Sequence, residues 1–350
     1  MSPVYPPVVD LGRLAEWTPL PLTVRDARRR AGALRERLAG RVPTDDAPAA
    51  TANAPAAADG GPAPQGPPAP GNESETGGAG GNPGTPRRRR AFRTRPTPAA
   101  PNLADVTALS VRRAHVQALR HIDLTIRPGE TIALMGRNGA GKSTLLNTLV
   151  GLVTPTTGTV QVGGAPPHRT PPRDLVRRVG LVPQEPRDLL YADTVAAECR
   201  AADRDAAAAP GTCRALVTDL LPGVTDDTHP RDLSEGQRLA LALAVVLTAR
   251  PPVLLLDEPT RGLDYAAKSR LVGLLTDLAA GGHAIMLATH DVELAAELAH
   301  RVILLAEGEV IADGPAADVI TSSPSFAPQV SKILAPQRWL TVAQVRKALS

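Results

Sequence analysis

The sequence predicts an α/β protein with a parallel β-sheet at its core, and two observations carry this prediction. Apolar residues make up 43% of the chain but aromatic residues only 2%, so the core must be aliphatic, as buried parallel strands are. Short aliphatic segments that end in polar residues alternate with helical segments, which is the βαβ rhythm of a parallel sheet. Ligands of such sheets bind at the carboxyl ends of the strands.

Residues 1–42 precede the predicted sheet and contain one predicted helix. Thr23 and Asp26 have the spacing of a helix cap and its partner in the first turn. The apolar residues that follow lie on one helical face before Gly40; they are Val24, Ala27, Ala31, Leu34 and Leu38. The segment is too short to be a domain alone, and we expect removal of residues 1–101 to leave the α/β domain folded.

The N-terminal segment resembles the C-terminal tail. SPVYPPVV at 2–9 is similar to SPSFAPQV at 323–330, and LTVRDARR at 22–29 is similar to LTVAQVRK at 340–347. We interpret the segment as a second copy of the tail, retained from the first half of a tandem protein. Chance similarity between two proline-punctuated, capped helices is the alternative.

Residues 43–101 are predicted to form a disordered linker. Pro, Gly and Ala occupy 36 of its 59 positions, and Phe92 is its only large apolar residue, so burial cannot offset the entropy of ordering. Six arginines lie at 87–95; without them 33 basic residues face 35 acidic ones. The folded part is therefore not basic, and the cluster is a solvated charge run or an arm that attracts anionic lipid.

The cysteines, the N-terminal sequence and the length of the apolar stretches together indicate a protein of the reducing cytosol. The two cysteines, Cys199 and Cys213, lack the spacing of a metal site and are expected to be reduced, packed thiols. The N-terminus has no signal-peptide pattern, and the longest apolar stretch, 239–248, is far short of the roughly 18 residues that span a bilayer. We therefore expect any membrane association to be peripheral.

Residues 102–320 are predicted to form the α/β domain, and residues 321–350 a C-terminal helical extension. HIDLTI alternates as a half-buried strand does, with Ile122, Leu124 and Ile126 on one face. TIALMG at 131–136, VLLLDEP at 253–259 and AIMLATH at 284–290 read as buried strands. In the extension, Thr341 and Gln344 have capping-box spacing.

Residues 136–143, GRNGAGKS, match the phosphate-loop pattern G-x-x-x-x-G-K-[ST] in full, between a predicted strand and a predicted helix. Backbone N–H groups of such a loop surround a β-phosphate, Lys142 neutralises phosphate oxygens, and Ser143 can ligate Mg²⁺. We predict a nucleoside triphosphate site. The residues expected to contact the nucleotide are Gly136, Arg137, Asn138, Gly139, Ala140, Gly141, Lys142, Ser143 and Thr144.

Asp257 and Glu258 end another aliphatic strand, VLLL. One carboxylate is expected near the metal and the other within reach of a water in line with the γ-phosphate. An acidic pair at a strand end is usually only solvated. Here it follows the phosphate loop on a second buried strand, which favours the catalytic interpretation.

Six motifs in order resemble the ATP-binding-cassette (ABC) ATPases. They are the phosphate loop, LVPQ with Gln184, LSEGQ at 233–237, LLLDEP, GLD at 262–264 and ATHD with His290. The resemblance covers about residues 103–320. It implies a P-loop NTPase fold with a RecA-like core, an antiparallel β-subdomain and a helical subdomain between Gln184 and LSEGQ.

The resemblance also implies roles for individual residues and names ATP and Mg²⁺ as cofactors. Glu258 would be the general base, with His290 on the γ-phosphate and Gln184 touching metal and water. Ser143, Gln184 and Asp257 would hold Mg²⁺. In the family two cassettes pair head to tail, so the residues that would meet the partner's ATP or bridge the two sites are Ser234, Gly236, Gln237 and Asp264.

Two positions depart from the family pattern. Glu235 replaces the usual glycine of the signature and would place a carboxylate near phosphate, so we expect the site that this signature completes to be weakened. Arg113 stands where an aromatic residue often stacks on adenine, and either Arg113 or His115 could stack instead.

Residues 179–198 resemble the corresponding region of energy-coupling-factor and cobalt-type importers. The resemblance implies an ATP-hydrolysing subunit, peripheral on the cytoplasmic face of the cell membrane, that powers uptake of a vitamin or transition-metal ion. Its expected partners are a second, heterologous ABC ATPase, a transmembrane coupling subunit and a substrate-binding membrane subunit.

A soluble ABC ATPase that acts on nucleic acid or ribosomes is the alternative, with the arginine run as a phosphate-binding arm. The slightly acidic folded part argues against it, and no nucleic-acid partner is expected. A regulatory pseudo-ATPase is disfavoured because Lys142, Glu258 and His290 are all present.

Overall fold

The computed structural model describes residues 5–43, 101–322 and 326–350. Most of the predicted linker, including the arginine cluster at 87–95 and Phe92, lies outside these ranges. The strands are β1 Ala104–Arg113, β2 Val116–Ile126, β3 Thr131–Met135, β4 Thr157–Val162, β5 Val179–Val182, β6 Val253–Asp257, β7 Ala284–Thr289, β8 Arg301–Ala306 and β9 Glu309–Pro315. The helices are α1 Pro7–Leu14, α2 Val24–Arg30, α3 Gly32–Arg37, α4 Lys142–Leu149, α5 Pro172–Leu175, α6 Val195–Asp205, α7 Thr212–Leu220, α8 Glu235–Leu247, α9 Tyr265–Ala280, α10 Val292–Leu298, α11 Ala316–Ser322, α12 Gln329–Leu334 and α13 Val342–Leu349.

The main sheet has six strands in the order β5-β6-β7-β3-β8-β9. The first five are parallel, and β9 pairs antiparallel with β8. Every residue of β3, β6 and β7 is buried, as their uninterrupted aliphatic sequences predict. The α/β fold expected from the sequence is confirmed.

A second, antiparallel sheet has the order β2-β1-β4 and packs its apolar face into the core beneath the main sheet. In β2 the predicted inward residues Ile122, Leu124 and Ile126 are all buried. The predicted antiparallel β-subdomain is therefore present.

Helices α6, α7 and α8 form the predicted helical subdomain around a cluster of small and aliphatic side chains. Cys199 on α6 and Cys213 on α7 are buried free thiols in this cluster, as expected. Their side chains hydrogen-bond each other, which raises the pKa of the Cys199 thiol far above its usual range.

The N-terminal segment contains more helices than the sequence predicted. The single expected helix is two, α2 and α3, because Ala31 leaves the helical conformation ahead of Gly32, a poor helix former. Thr23 caps α2 as predicted by accepting a hydrogen bond from Asp26 N at 3.1 Å.

The segment also shares a hydrophobic cluster with the C-terminal extension, which we call the terminal joint. Both belong to one compact unit with the remainder of the described chain. The buried members of the joint are Val8, Leu11, Ala27, Ala31, Leu34, Leu38, Val330, Ile333, Leu334, Trp339, Val342 and Val345. The two resembling segments thus pack against each other, although only local helices were predicted from them.

Within the described ranges no helix has the length and apolar character needed to cross a bilayer.

Candidate functional site

Three neighbouring strands, β3, β7 and β6, direct their carboxyl ends to one edge of the main sheet. Met135 at the end of β3 pairs with Thr289 on β7, and Ala288 on β7 pairs with Asp257 at the end of β6. The phosphate loop follows β3, the acidic pair lies at the end of β6, and His290 follows β7. Residues separated by more than 100 positions in sequence therefore meet at this edge.

The phosphate loop runs from β3 into α4, which begins at Lys142. Gly141 caps the helix in a left-handed conformation, with φ +107°, and a Cβ there would lie 2.6 Å from the carbonyl oxygen of Ala118. Only glycine fits this close approach to β2. The loop leaves Arg137, Asn138 and Gly139 exposed at the N-terminus of α4, where unpaired N–H groups favour an anion.

Lys142 is buried inside the loop, with 7% of its surface exposed. Its Nζ donates a hydrogen bond to Gly136 O at 2.8 Å and lies 3.8 Å from Glu258 Oε1. The ammonium group is therefore held between the loop and the end of β6, where it can neutralise charge on a bound phosphate.

Glu258 connects Lys142 to His290. Its backbone has φ +50°, a conformation uncommon for a residue with a side chain, and its N–H donates to Ala288 O at 2.8 Å. Its Oε2 lies 2.7 Å from His290 Nδ1. The carboxylate is almost buried, whereas 72% of the His290 side chain is exposed. Backbone strain at an acidic residue of this kind is typical of functional sites.

Asp257 lies next to Ser143, the first exposed residue of α4. Burial raises the pKa of the Asp257 carboxyl, and the hydrogen bond with Ser143 acts in the opposite direction. A buried carboxylate beside a hydroxyl is an oxygen donor set that suits Mg²⁺. Mg²⁺ takes only one or two carboxylates when phosphates supply other ligands. The described residues contain no group of three or more His, Cys, Asp or Glu side chains that could hold a metal ion.

Gln184 follows β5 and is exposed. Its neighbour Glu185 accepts a hydrogen bond at 2.8 Å from Arg261 Nη1, three residues beyond Glu258. Sequence reasoning missed this ion pair, because 76 positions separate its members and neither belongs to a motif. It joins the loop of Gln184 directly to the loop that follows the acidic pair.

A second pair missed from the sequence lies behind His290. Lys268 Nζ on α9 is 2.6 Å from Asp291 Oδ2. Burial alone would raise the pKa of Asp291, but hydrogen bonds from Lys268 and from two backbone amides of α10 lower it below its ordinary value. The ATHD motif contained Asp291, but nothing in the sequence identified its partner. The pair anchors the start of α10 directly behind His290.

The signature residues lie at the N-terminus of α8. Ser234 and Gln237 form a complete capping box, with the two hydrogen bonds at 3.3 and 2.9 Å. Within the described ranges, no hydrogen bond or ion pair joins residues 234–237 to the phosphate loop. The structure therefore brings together Lys142, Ser143, Asp257, Glu258 and His290, and leaves the signature outside this group.

Four further predicted positions are exposed. Asp264 caps α9 by accepting a hydrogen bond from Ala267 N at 2.7 Å. Arg113 and His115 lie at the turn between β1 and β2. Glu235 is not an isolated charge, because Arg238 Nη1 is 2.9 Å from its Oε1.

Comparison with known proteins matches the chain to one family. A family model described as ABC transporter matches residues 119–261. The chain is 70% identical over 352 residues to a putative ABC transporter ATP-binding protein of Streptomyces coelicolor, in a match that covers 100% of this chain and 59% of that relative.

Two further matches are to proteins named for cobalt import or for a transporter complex. The chain is 43% identical over 218 residues to the cobalt import ATP-binding protein CbiO of Rhodobacter capsulatus, covering 61% of this chain and 78% of CbiO. The solved structure of cbiO1 from Clostridium perfringens, described as part of the complex cbiONQ, matches at 30% identity and a TM-score of 0.56, covering 62% of this chain and 90% of that one. The chain spans only about 59% of the length of the Streptomyces relative that it matches throughout.

Proposed function

The chain belongs to the family of ABC transporter ATP-binding proteins, and on this premise we propose that it binds Mg–ATP and hydrolyses it with Glu258 as the general base. One observation carries the proposal. Glu258 lies between Lys142 at 3.8 Å and His290 at 2.7 Å, directly beside the phosphate loop. A carboxylate in this place can accept a proton from a water that attacks the γ-phosphate.

The other site residues position the nucleotide. The loop amides at the start of α4 hold phosphate oxygens, Lys142 neutralises them, and His290 contacts the γ-phosphate. Ser143, Asp257 and Gln184 are the proposed Mg²⁺ ligands, and the metal when bound neutralises charge that develops on the phosphates. The ion pair between Glu185 and Arg261 fixes the loop of Gln184 against the loop that follows the base.

Glu258→Gln tests the catalytic assignment. The substitution keeps the shape of the side chain and removes the base, so turnover should fall by at least about 10² to 10⁴ while ATP binding persists. Glu309→Gln is the matched control, because Glu309 is exposed on β9 and its ion pair with Arg120 lies outside the site. Steady-state hydrolysis and nucleotide binding are measured on both variants. Hydrolysis by Glu258→Gln at the parental rate would show that another group is the base.

We also propose that the signature acts on a second cassette, in a head-to-tail pair. Among the described residues, no hydrogen bond or ion pair joins Ser234, Gly236, Gln237 or Asp264 to the phosphate loop, and this supports a role in completing a partner's site. The proposed partner is a different cassette rather than a second copy. About two fifths of the Streptomyces relative lies outside the match, which leaves room for a further cassette in that protein.

Sizing and hydrolysis assays test the pairing. The chain alone should be mostly monomeric and slow with ATP, and addition of a heterologous cassette together with membrane subunits should raise turnover strongly. A stable and fully active homodimer of this chain would contradict the heterologous partner.

For the biological role we propose the energy-coupling-factor type of importer, with a vitamin or a transition-metal ion as its substrate. The likeness to CbiO and to a member of a cbiONQ complex supports this role. The chain would then work at the cytoplasmic face of the membrane, bound to a coupling subunit and a substrate-binding subunit. In this arrangement residues 102–320 are the cassette, 43–101 the linker, and 1–42 and 321–350 its terminal extensions.

Purification of the tagged protein from detergent-solubilised membranes separates this role from action on nucleic acid. Membrane subunits should co-purify and should survive nuclease treatment. Uptake of the substrate should stop in the Glu258→Gln variant. Co-purification of RNA or ribosomal proteins that nuclease abolishes would favour the alternative.

A further inference from the structure

Four arginines line one open cleft of about 390 Å³ at the terminal joint. Arg25, Arg28 and Arg29 come from α2, where their spacing places them on one helical face. Arg35 comes from α3, and Ala335 at the end of α12 completes the lining. The cleft is thus built from both terminal segments.

The positive charge of this cleft is not neutralised by ion pairs within the described chain. None of the four arginines forms an ion pair with any carboxylate among the residues that the structure describes. The one acidic residue of α2, Asp26, is engaged at the start of that helix, where Thr23 Oγ1 donates to it at 2.7 Å. Four like charges around one cleft repel each other, and a bound anion would remove that repulsion.

Arg35 is held in place while part of it lacks a partner. Its Nη2 donates to Ile333 O at 2.7 Å, and its backbone carbonyl accepts a hydrogen bond from Gln337 Nε2 at 2.8 Å. Its Nε is buried and has no hydrogen-bond partner. The side chains of an exposed arginine run would be solvated and mobile. The guanidinium group of Arg35 is instead held in place by its hydrogen bond to Ile333 O, and its Nε–H group has no acceptor.

We propose that the cleft binds a phosphate-bearing anion, either a free oligophosphate or the headgroup of an anionic lipid. Guanidinium groups match the geometry of phosphate oxygens and form short, charge-assisted hydrogen bonds with them. The lining has no aromatic residue to stack on a base, so recognition is through phosphate alone. The volume exceeds that needed for a single phosphate and lies in the range of small-ligand sites. Binding would stabilise the joint, because both terminal segments contribute to the cleft.

The test compares two variants of the full chain that lose equal charge. Arg28→Gln/Arg29→Gln removes two arginines of the cleft, and Arg37→Gln/Arg41→Gln removes two exposed arginines of the same segment outside it. Both are made in a Lys142→Ala background, so that the phosphate loop contributes no binding and failure of the proposed ATPase function does not affect the result. Hydrogen exchange at α1 and α12 checks that each variant keeps the joint, and Arg25→Gln replaces the cleft variant if it does not.

Two probes distinguish the two sources of phosphate. Sodium tripolyphosphate is titrated by calorimetry, and flotation uses vesicles of equal parts phosphatidylglycerol and phosphatidylcholine, with pure phosphatidylcholine as the blank. We expect the affinity of the cleft variant for at least one of these probes to fall by about tenfold or more. The affinity of the control variant should not change. Loss with tripolyphosphate assigns a free anion, and loss with vesicles alone assigns a lipid headgroup. Both variants keep the arginines at 87–95, so a difference in binding between the two variants reports on the cleft alone. Equal binding by the two variants, or binding of neither probe, would overturn the proposal.

Discussion

At the scale of single residues, the geometry of the phosphate loop depends on Gly141. Its Cα faces the carbonyl oxygen of Ala118 and the side chain of Leu119, both on β2. Any side chain there would push the loop away from the antiparallel sheet, and Lys142 and Ser143 follow immediately. The position of two proposed phosphate and metal contacts therefore depends on the absence of one Cβ atom.

Gly141→Ala should abolish or strongly weaken nucleotide binding. The added Cβ would meet Ala118 O at 2.6 Å, and the backbone has φ +107°, so both the contact and the conformation oppose it. Gly139→Ala is the matched comparison, since Gly139 has φ +82° but no atom within 4 Å of the added Cβ. Titration with a fluorescent ATP analogue should show a larger loss for Gly141→Ala. Equal losses would mean that backbone strain, and not the contact with β2, decides the effect.

At the scale of elements, α1, α12 and α13 are held together by the terminal joint. Leu11 on α1 is fully buried, Trp339 before α13 is 1% exposed, and Arg346 Nη2 lies 3.2 Å from Asp10 Oδ2 across the interface. The joint also reaches the cassette, because Gln329 N donates to Glu293 Oε1 on α10 at 2.8 Å. Helix α10 begins two residues after His290, so the terminal extensions attach close to the candidate site.

Leu11→Ala should destabilise the joint by about 2–5 kcal/mol, as expected for truncation of a buried leucine. Leu22→Ala is the control, because 81% of Leu22 is exposed. Hydrogen exchange at the amides of α12 and α13 should accelerate in the first variant only. Unchanged protection in Leu11→Ala would mean that the C-terminal extension is stable without α1.

Helix α10 also carries an acidic group that should make stability depend on pH. Burial, reinforced by Glu293 and Asp291, raises the pKa of Glu297 from 4.5 to about 7. Between these two values the folded chain retains a proton that the unfolded chain has released, so this group makes the free energy of unfolding fall as pH rises through the window. Because Glu297 keeps more than a third of its surface exposed, solvent reduces the effect.

Glu297→Gln should remove this contribution. Denaturant unfolding at about pH 5 should differ little between the two proteins, whereas at about pH 8 the variant should be the more stable. Glu307→Gln, on the exposed turn between β8 and β9, should follow the parental profile. Parallel profiles for Glu297→Gln and the parent would show that Glu297 ionises normally.

At the scale of the whole molecule, the chain combines a cassette with a joint formed by its two terminal segments. Removal of residues 1–101 should leave the cassette folded, because the joint has a separate hydrophobic cluster. It should not leave the C-terminal extension intact, however, because Val330, Ile333 and Trp339 would lose the side chains that cover them. The expectation that the α/β domain folds without residues 1–101 stays a prediction, and the shared cluster adds an expected loss in the C-terminal extension.

Thermal melts of the truncated chain should keep a cooperative transition that Mg–ATP shifts upward. Binding of a hydrophobic dye should increase as the face of α12 becomes exposed. Replacement of residues 48–99 by a Gly/Ser linker of equal length is the control and should change neither measurement. Loss of the cooperative transition on truncation would make the terminal segment part of the cassette's own core.

Local patterns in the sequence determined four of the nine strands (β2, β3, β6 and β7), the phosphate loop, the caps at Thr23 and Thr341 and the acidic pair, because each depends on residues only a few positions apart. The ordered motifs also predicted the fold and named the residues that meet at the edge of the main sheet. Only the tertiary structure decided that the N-terminal segment packs on the C-terminal extension, that four arginines converge on one cleft, and that Glu185 pairs with Arg261 and Lys268 with Asp291. The two ion pairs join residues 76 and 23 positions apart, and the pair of Arg346 with Asp10 in the joint spans 336 positions. The longer ones depend on how completed helices and strands pack, and no local periodicity or propensity encodes that packing.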